Sequence, residues 1–108
     1  MLSNFNVITL FPEIFQNWIN VGVLSHGIEE KLFEFSSTNL RDYGIGSYKQ
    51  VDDAPYGGGP GMVLMVEPLD NAIKESKKDI NIFLTPSGQQ LNEDLIQDLH
   101  GYESANII

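Results

Sequence analysis

The sequence predicts an α/β domain with a mostly parallel sheet and flanking helices. Its apolar segments alternate in the order strand, helix, strand, loop, helix, strand, helix, strand, the pattern of strands joined by helical crossovers. Hydrophobic residues make up 42% and charged residues 19% of the 108 positions, the balance of a folded chain rather than a disordered one. That length holds one small domain, in which only about two-thirds of the unfolded surface is buried. No internal repeat or low-complexity segment interrupts the alternation.

The elements follow in order. Residues 6–11 are β-branched and apolar and read as a buried strand. Pro12 ends it and, with Glu13, opens a helix, since proline suits the first helical position and an acid suits the first turn. Ile14, Phe15, Trp18 and Ile19 recur at helical spacing as its inner face, with Trp18 as core. Gly22 closes or kinks that helix, and a second short one spans residues 23–32, interrupted at Gly27. Residues 32–37 form the second strand, whereas residues 41–46 lack a period, contain two glycines and read as loop. The apolar run 62–66 reads as a buried segment. Glu67 and Pro68 begin a helix to about Lys77, with Leu69, Ala72 and Ile73 inward and Lys74, Lys77 and Lys78 near its negative end. Residues 80–84 are a strand that ends in the turn Thr85-Pro86-Ser87-Gly88. Asn92, followed by Glu93 and Asp94, caps a last helix with Leu95, Ile96 and Leu99 inward. Residues 105–108 begin another strand. With no successor it reads as scarcely paired, and the fold is expected to continue past it.

Composition excludes several chemistries. There is no cysteine, hence no disulfide frame, thiolate metal site or cysteine nucleophile, which fits a reducing compartment. His26 and His100 stand alone without a ligand pattern, so no metal is expected. No apolar run approaches the length that crosses a bilayer, and no basic residue precedes the apolar start, so neither a membrane span nor a signal peptide is read. The net charge of −9 argues by itself against a nucleic-acid binder.

The densest signal is Pro55-Tyr56-Gly57-Gly58-Gly59-Pro60-Gly61-Met62. Glycine serves where φ is positive or a backbone must come close to something, and proline fixes φ, so the mixture is a loop of specified shape. It lacks the Gly-Lys-Ser/Thr ending of a phosphate loop and the strand-first spacing of a dinucleotide fingerprint. The residues alone allow either a tight connection or a binding-site wall. In open parallel sheets ligands sit beyond the carboxyl ends of the strands. The turn 85–88 follows such an end, and its free amides are placed to meet a small molecule.

Four segments in this order and spacing are more specific than any one. They are residues 7–15 (Val-Ile-Thr-Leu-Phe-Pro-Glu-Ile-Phe), Leu40-Arg41-Asp42-Tyr43, residues 51–62 (Val-Asp-Asp-Ala-Pro-Tyr-Gly-Gly-Gly-Pro-Gly-Met) and Phe83-Leu84-Thr85-Pro86-Ser87-Gly88. Together they resemble the bacterial tRNA (guanine-N1)-methyltransferases of the SPOUT superfamily. The resemblance covers essentially the whole chain and corresponds to that family's amino-terminal half. It implies a SPOUT-type, Rossmann-like sheet truncated before a trefoil knot, S-adenosylmethionine as methyl donor, and methylation of N1 of guanosine 37 beside the anticodon. It also implies a cytoplasmic homodimer that binds tRNA, with no metal and no membrane. By resemblance, Phe83, Leu84, Thr85, Pro86 and Gly88 contact the donor. Tyr56, Gly57, Gly58, Gly59, Pro60 and Gly61 border donor and target guanine. Asp52 and Asp53 match the family's acidic pair before the loop; by their chemistry alone they read as caps for the loop's own amides.

No catalytic residue is assigned within these residues. N1 of guanine carries a proton at neutral pH, so a positioned base is needed. The resemblance puts that base after Ile108, so the chain alone is expected to be inactive. A departure from the family lies at Gly46-Ser47-Tyr48-Lys49-Gln50, where many members have a basic, histidine-containing run and this chain has no histidine. Two other readings stay open: a non-catalytic α/β dimerisation or interaction module, and a small phosphate-binding domain.

Overall fold

The computed structural model describes residues 1–55 and 57–108. β1 (Asn4–Thr9) runs into helix α1 (Pro12–Trp18), which carries its proline at the start as expected. Helix α2 (Gly22–Glu29) then leads to β2 (Glu34–Asn39). A short 3-10 turn (Leu40–Tyr43) follows, capped by the Asn39 side chain, which accepts from the Arg41 amide at 3.0 Å. β3 (Asp52–Asp53) and β4 (Val63–Leu64) precede helix α3 (Val66–Ser76). β5 (Ile80–Ile82), helix α4 (Glu93–Leu99) and β6 (Ser104–Ile107) complete the chain, with Asn92 capping α4 by accepting from the Leu95 amide at 2.9 Å.

β1, β2, β5 and β6 form one parallel sheet in the order β2-β1-β6-β5. Side chains alternate across a strand, so Ile8 and Phe5 project to opposite faces. Ile8 belongs to a buried cluster with Leu40, Val51 and Ala72 of α3, while Phe35, in register with Phe5, meets Phe15 and Trp18 of α1. Helices therefore cover both faces, the three-layer arrangement of an α/β domain.

The strand at residues 104–107 corrects an expectation. Rather than a scarcely paired stub, β6 lies in the middle of the sheet, with Ala105 opposite both Phe5 and Ile80. Ile108 extends the pairing: its amide donates to Ile82 O (2.9 Å) and its carbonyl accepts from the Leu84 amide (3.0 Å). Parallel neighbours come from distant parts of the chain, so local pattern does not reveal them.

One row of this sheet is polar. Asn6, Ser36, Asn106 and Asn81 share a register across all four strands. Asn106 Nδ2 donates to Asn81 Oδ1 (2.9 Å), Asn6 Nδ2 donates to Asn106 Oδ1 (3.0 Å), and Asn6 Oδ1 accepts from the hydroxyls of Ser36 (3.0 Å) and Thr38 (3.1 Å). Asn6 and Asn106 are buried, and this network satisfies their amides, which the interior otherwise penalises.

Other readings change in detail. The apolar run 62–66 is not a buried segment: Met62, Val63, Leu64 and Val66 are all exposed, in a hairpin and the start of α3. Trp18 is half-exposed and packs on Phe15 and Phe35 at the rim rather than in the core, and Ile14 is exposed too. Gly22 opens α2 instead of closing α1. Gly27 does not interrupt α2. It is buried there against the Phe33 ring, which an added Cβ would approach to 2.6 Å. Residues 41–46 are only partly loop, since the first three complete the 3-10 turn, whose Leu40 is 1% exposed.

Candidate functional site

Both segments singled out in the sequence start from the carboxyl edge of the sheet. Residues 57–61 belong to the connection between β3 and β4, which pair antiparallel with Asp52 opposite Leu64 and Asp53 opposite Val63. The root of this hairpin is Val51, 2% exposed and clustered with Ile8 and Leu40, whose carbonyl accepts from the Met65 amide at 2.7 Å. Leu10 and Ile108 flank the same cluster. The hairpin is thereby fastened beside the ends of the central strands.

The loop itself is shaped by backbone angles. Gly57, Gly58, Gly59 and Gly61 have φ of 84°, 89°, 119° and 86°, a region that side-chain-bearing residues rarely enter. A Cβ at any of the four would meet no atom of the described residues beyond its chain neighbours within 4 Å, so the requirement is conformational rather than steric. Gly58 donates its amide to Pro55 O at 3.0 Å, and Asp53 Oδ1 accepts from the Ala54 amide at 2.7 Å. Of the acidic pair, Asp53 thus caps an amide of the loop approach. Pro60 and the four glycines are exposed. Tyr56, which the sequence placed in the same site, lies outside the described residues.

The second segment continues β5. Phe83 and Leu84 are 58% and 69% exposed. Gly88 donates to Thr85 O (3.1 Å), Ser87 donates its amide to Thr85 Oγ1 (3.4 Å), and the two hydroxyls of Thr85 and Ser87 lie 3.2 Å apart. The expectation of free amides is corrected in part: those of Ser87 and Gly88 in the turn, and of Leu84 before it, are already engaged. The turn offers exposed apolar surface, hydroxyls and carbonyls instead.

The two described cavities lie away from these segments. One, of about 820 Å³, opens at the amino edge of the sheet between Asn4, Glu34, Asp79 and Glu103. The other, of about 440 Å³, is apolar and lies between α1, α2 and the sheet, walled by Phe5, Trp18, Leu24, Phe33 and Phe35. Neither is lined by residues 57–61 or 83–88.

The titratable groups near the hairpin root are few. Tyr43 packs against the Val51 cluster, and burial, then a hydrogen bond to the Glu75 carboxylate, raises its phenol above the ordinary value. On the exposed side of α3, a 2.8 Å hydrogen bond from Lys74 to Asp70 raises the lysine in turn. His26 pairs with Glu30 at 3.2 Å, and His100 Nδ1 accepts from the Leu2 amide at 3.2 Å. Among the described residues, no group of three or more histidine, cysteine, aspartate or glutamate residues is placed to hold a metal. No helix among them is long and apolar enough to cross a membrane.

Sequence reading missed the polar row. Its signal was present: asparagine flanked by β-branched or small apolar residues at Asn6-Val7, Ile80-Asn81-Ile82 and Ala105-Asn106-Ile107.

Comparison with known proteins agrees with this architecture. The family model described as tRNA (Guanine-1)-methyltransferase TrmD matches residues 3–108. A tRNA (guanine-N(1)-)-methyltransferase of Spiroplasma kunkelii is 45% identical over 98 residues, covering 89% of this chain and 37% of that protein. The Buchnera aphidicola enzyme of the same name is 41% identical over 99 residues, covering 88% of this chain and 42% of that protein. The crystal structure of tRNA (m1G37) methyltransferase from Aquifex aeolicus superposes with a TM-score of 0.80 at 34% identity, over 100% of this chain and 50% of that one. The chain thus spans about two-fifths of the curated relatives' length. The four-segment pattern, the parallel sheet and a family match over nearly every residue agree: the chain belongs to the tRNA (guanine-1)-methyltransferase family.

Proposed function

We propose that this chain is the amino-terminal part of the catalytic domain of a tRNA methyltransferase that acts on N1 of guanosine 37, beside the anticodon, with S-adenosylmethionine as donor. The observation that carries the reading is the glycine loop: four positive-φ residues held by a two-residue hairpin whose root is buried beside the ends of the central strands. Positive-φ backbone with no Cβ leaves peptide groups open to a flat ligand at close range. Gly57, Gly58, Gly59, Pro60 and Gly61 would form the wall beside the target guanine.

The residues of the second segment fit one side of the donor. Exposed Phe83 and Leu84 supply apolar surface for an adenine ring, and the Thr85 and Ser87 hydroxyls supply polar partners, while the engaged amides hold the turn rigid. The donor supplies a methyl group on a sulfonium, to be passed to a ring nitrogen. This chain's residues orient the base and the donor at the carboxyl edge, which converts an encounter in solution into a positioned one. The proton on N1 needs an acceptor. Asp53 already accepts from the Ala54 amide, and we place the base outside these residues. The protein works as a homodimer in the cytoplasm, and the 108 residues by themselves turn over no tRNA.

The test is methyl transfer by the full-length protein to an unmodified tRNA transcript, with reverse transcription mapping the product. A stop at guanosine 37 that depends on S-adenosylmethionine supports the reading. No transfer, or transfer to another nucleotide, refutes it. The isolated chain should show background transfer only.

A further inference from the structure

The asparagines that cross the sheet do more than satisfy one another. β5 and β6 pair over three residues, Ile80 with Ala105, Asn81 with Asn106 and Ile82 with Ile107. Apolar patterning leaves the register of so short a ladder open. A one-residue slip of β6 turns its side chains to the other face, which the pattern opposes, but a two-residue slip keeps every side chain on its own face. The asparagine row separates these alternatives. Slipped one way, Asn106 would stand opposite Ile8 of the apolar cluster, away from Asn6 and Asn81. Slipped the other way, Ile108 would stand opposite Asn6, and the Asn6 Nδ2 would lose its acceptor on Asn106. Asn6 and Asn106 are 3% and 0% exposed, so water does not replace a lost partner there. A buried asparagine fixes register in coiled coils on the same ground.

Register matters at the carboxyl edge. The Ile108 amide donates to Ile82 O at 2.9 Å, and the Ile108 carbonyl accepts from the Leu84 amide at 3.0 Å. Leu84 leads directly into the turn 85–88. The height of β6 against β5 therefore sets where that turn begins. A two-residue slip would carry Ile108 about 6.6 Å along the strand and take away its bond to Leu84.

We infer that Asn6, Asn81 and Asn106 are positioning residues for the donor turn: their hydrogen-bond row sets the register of β6 between β1 and β5, and through Ile108 and Leu84 that register holds residues 85–88 where the methyl donor is received. This rests on the donor reading above. The test is calorimetric binding of S-adenosylmethionine to the full-length protein, with the cross-strand amide contacts of β6 read by NMR. Asn81→Val removes the acceptor of Asn106 at an exposed position. It should weaken donor binding about fivefold, the equivalent of one net hydrogen bond. Asn81→Asp keeps an acceptor for Asn106 and should stay within about twofold of the parent. Asn6→Val combined with Asn81→Val and Asn106→Val removes the row without leaving a buried amide unpaired. That protein should fold, show Ile107 contacts shifted from Ile82 to a residue two positions away, and lose donor affinity by about tenfold or more. The Asn81 pair decides even where the triple variant fails to fold. Equal donor affinity in Asn81→Val and Asn81→Asp, in a protein that binds the donor, overturns this inference and leaves the function standing. A triple variant with native register and parent affinity overturns it as well. A parent protein that binds no S-adenosylmethionine removes the donor reading and the inference together.

Discussion

In the four-stranded sheet each strand is placed by partners far along the chain, whereas in the β3–β4 hairpin placement comes from partners 10 to 12 residues away. The sheet's buried row joins Asn6 to Asn106 across 100 residues. The hairpin rests on two paired residues per strand, four left-handed glycines and one buried anchor, Val51. The sheet therefore depends on satisfied interior contacts, and a lost partner there is felt globally. The hairpin depends on backbone conformation with little around it, and damage there stays local. The interior contacts of the first region hold the fold, and the recognition proposed above lies in the second.

The largest effect should come from the polar row. Asn106→Ala leaves the buried Asn6 amide without its acceptor, which costs about 2 kcal/mol or more. For a domain of this size that is a fall in Tm of roughly 10 °C, readable by calorimetry. Asn6→Val combined with Asn106→Val should cost less than the two single changes added, because the pair removes donor and acceptor together. Strict additivity would show that the row is not a coupled network.

Gly58→Val is the contrasting experiment. With φ of 89° and open space around the Cβ, the change strains the backbone without a clash. It should cost about 1–2 kcal/mol of local strain, lower Tm by less than Asn106→Ala, and weaken donor or tRNA binding in the full-length protein by more than that strain explains. Normal binding in this variant would reduce the loop to a connector. The smallest effect concerns Tyr43, at the junction of the two regions. Its raised pKa means that the folded state holds the phenol proton more tightly than the unfolded state does. The associated stability is fully present below about pH 10, the unfolded value. It is lost as pH rises from there through the folded value. Tyr43→Phe should flatten the alkaline end of a stability-against-pH curve and leave the neutral range unchanged.

Most of the fold was legible because its elements carry local signals. Pro12 and Glu13 at the head of α1, Asn92 at the cap of α4 and the β-branched run of β1 each reflect short-range sterics and hydrogen bonding. Lateral order was not legible. Nothing in residues 104–107 states that they insert between β1 and β5, since parallel pairing is decided by distant residues. Residues 62–66 were misread for a related reason: an apolar run records a preference for burial but not whether anything is available to bury it. Of the candidate site, Gly57, Gly58, Gly59 and Gly61 were visible because positive φ selects glycine directly. The engaged amides of residues 84, 87 and 88 were not, because bonds inside a turn depend on its exact path.

The central position of β6 also sets a schedule. The Asn4 end of β1 leaves the ribosome 100 residues ahead of Ser104, its partner in β6. At about 5–20 residues per second, the open edge of β1 waits roughly 5–20 s for its neighbour. During that interval β2 can already pair on the other side, and the asparagine of β1 must remain hydrated rather than bonded across the sheet. While residues 104–107 have not yet emerged from the ribosome, β1 exposes an unsatisfied strand edge, and their emergence lets it close. For these strands, translation sets the earliest moment at which β1 and β6 can pair.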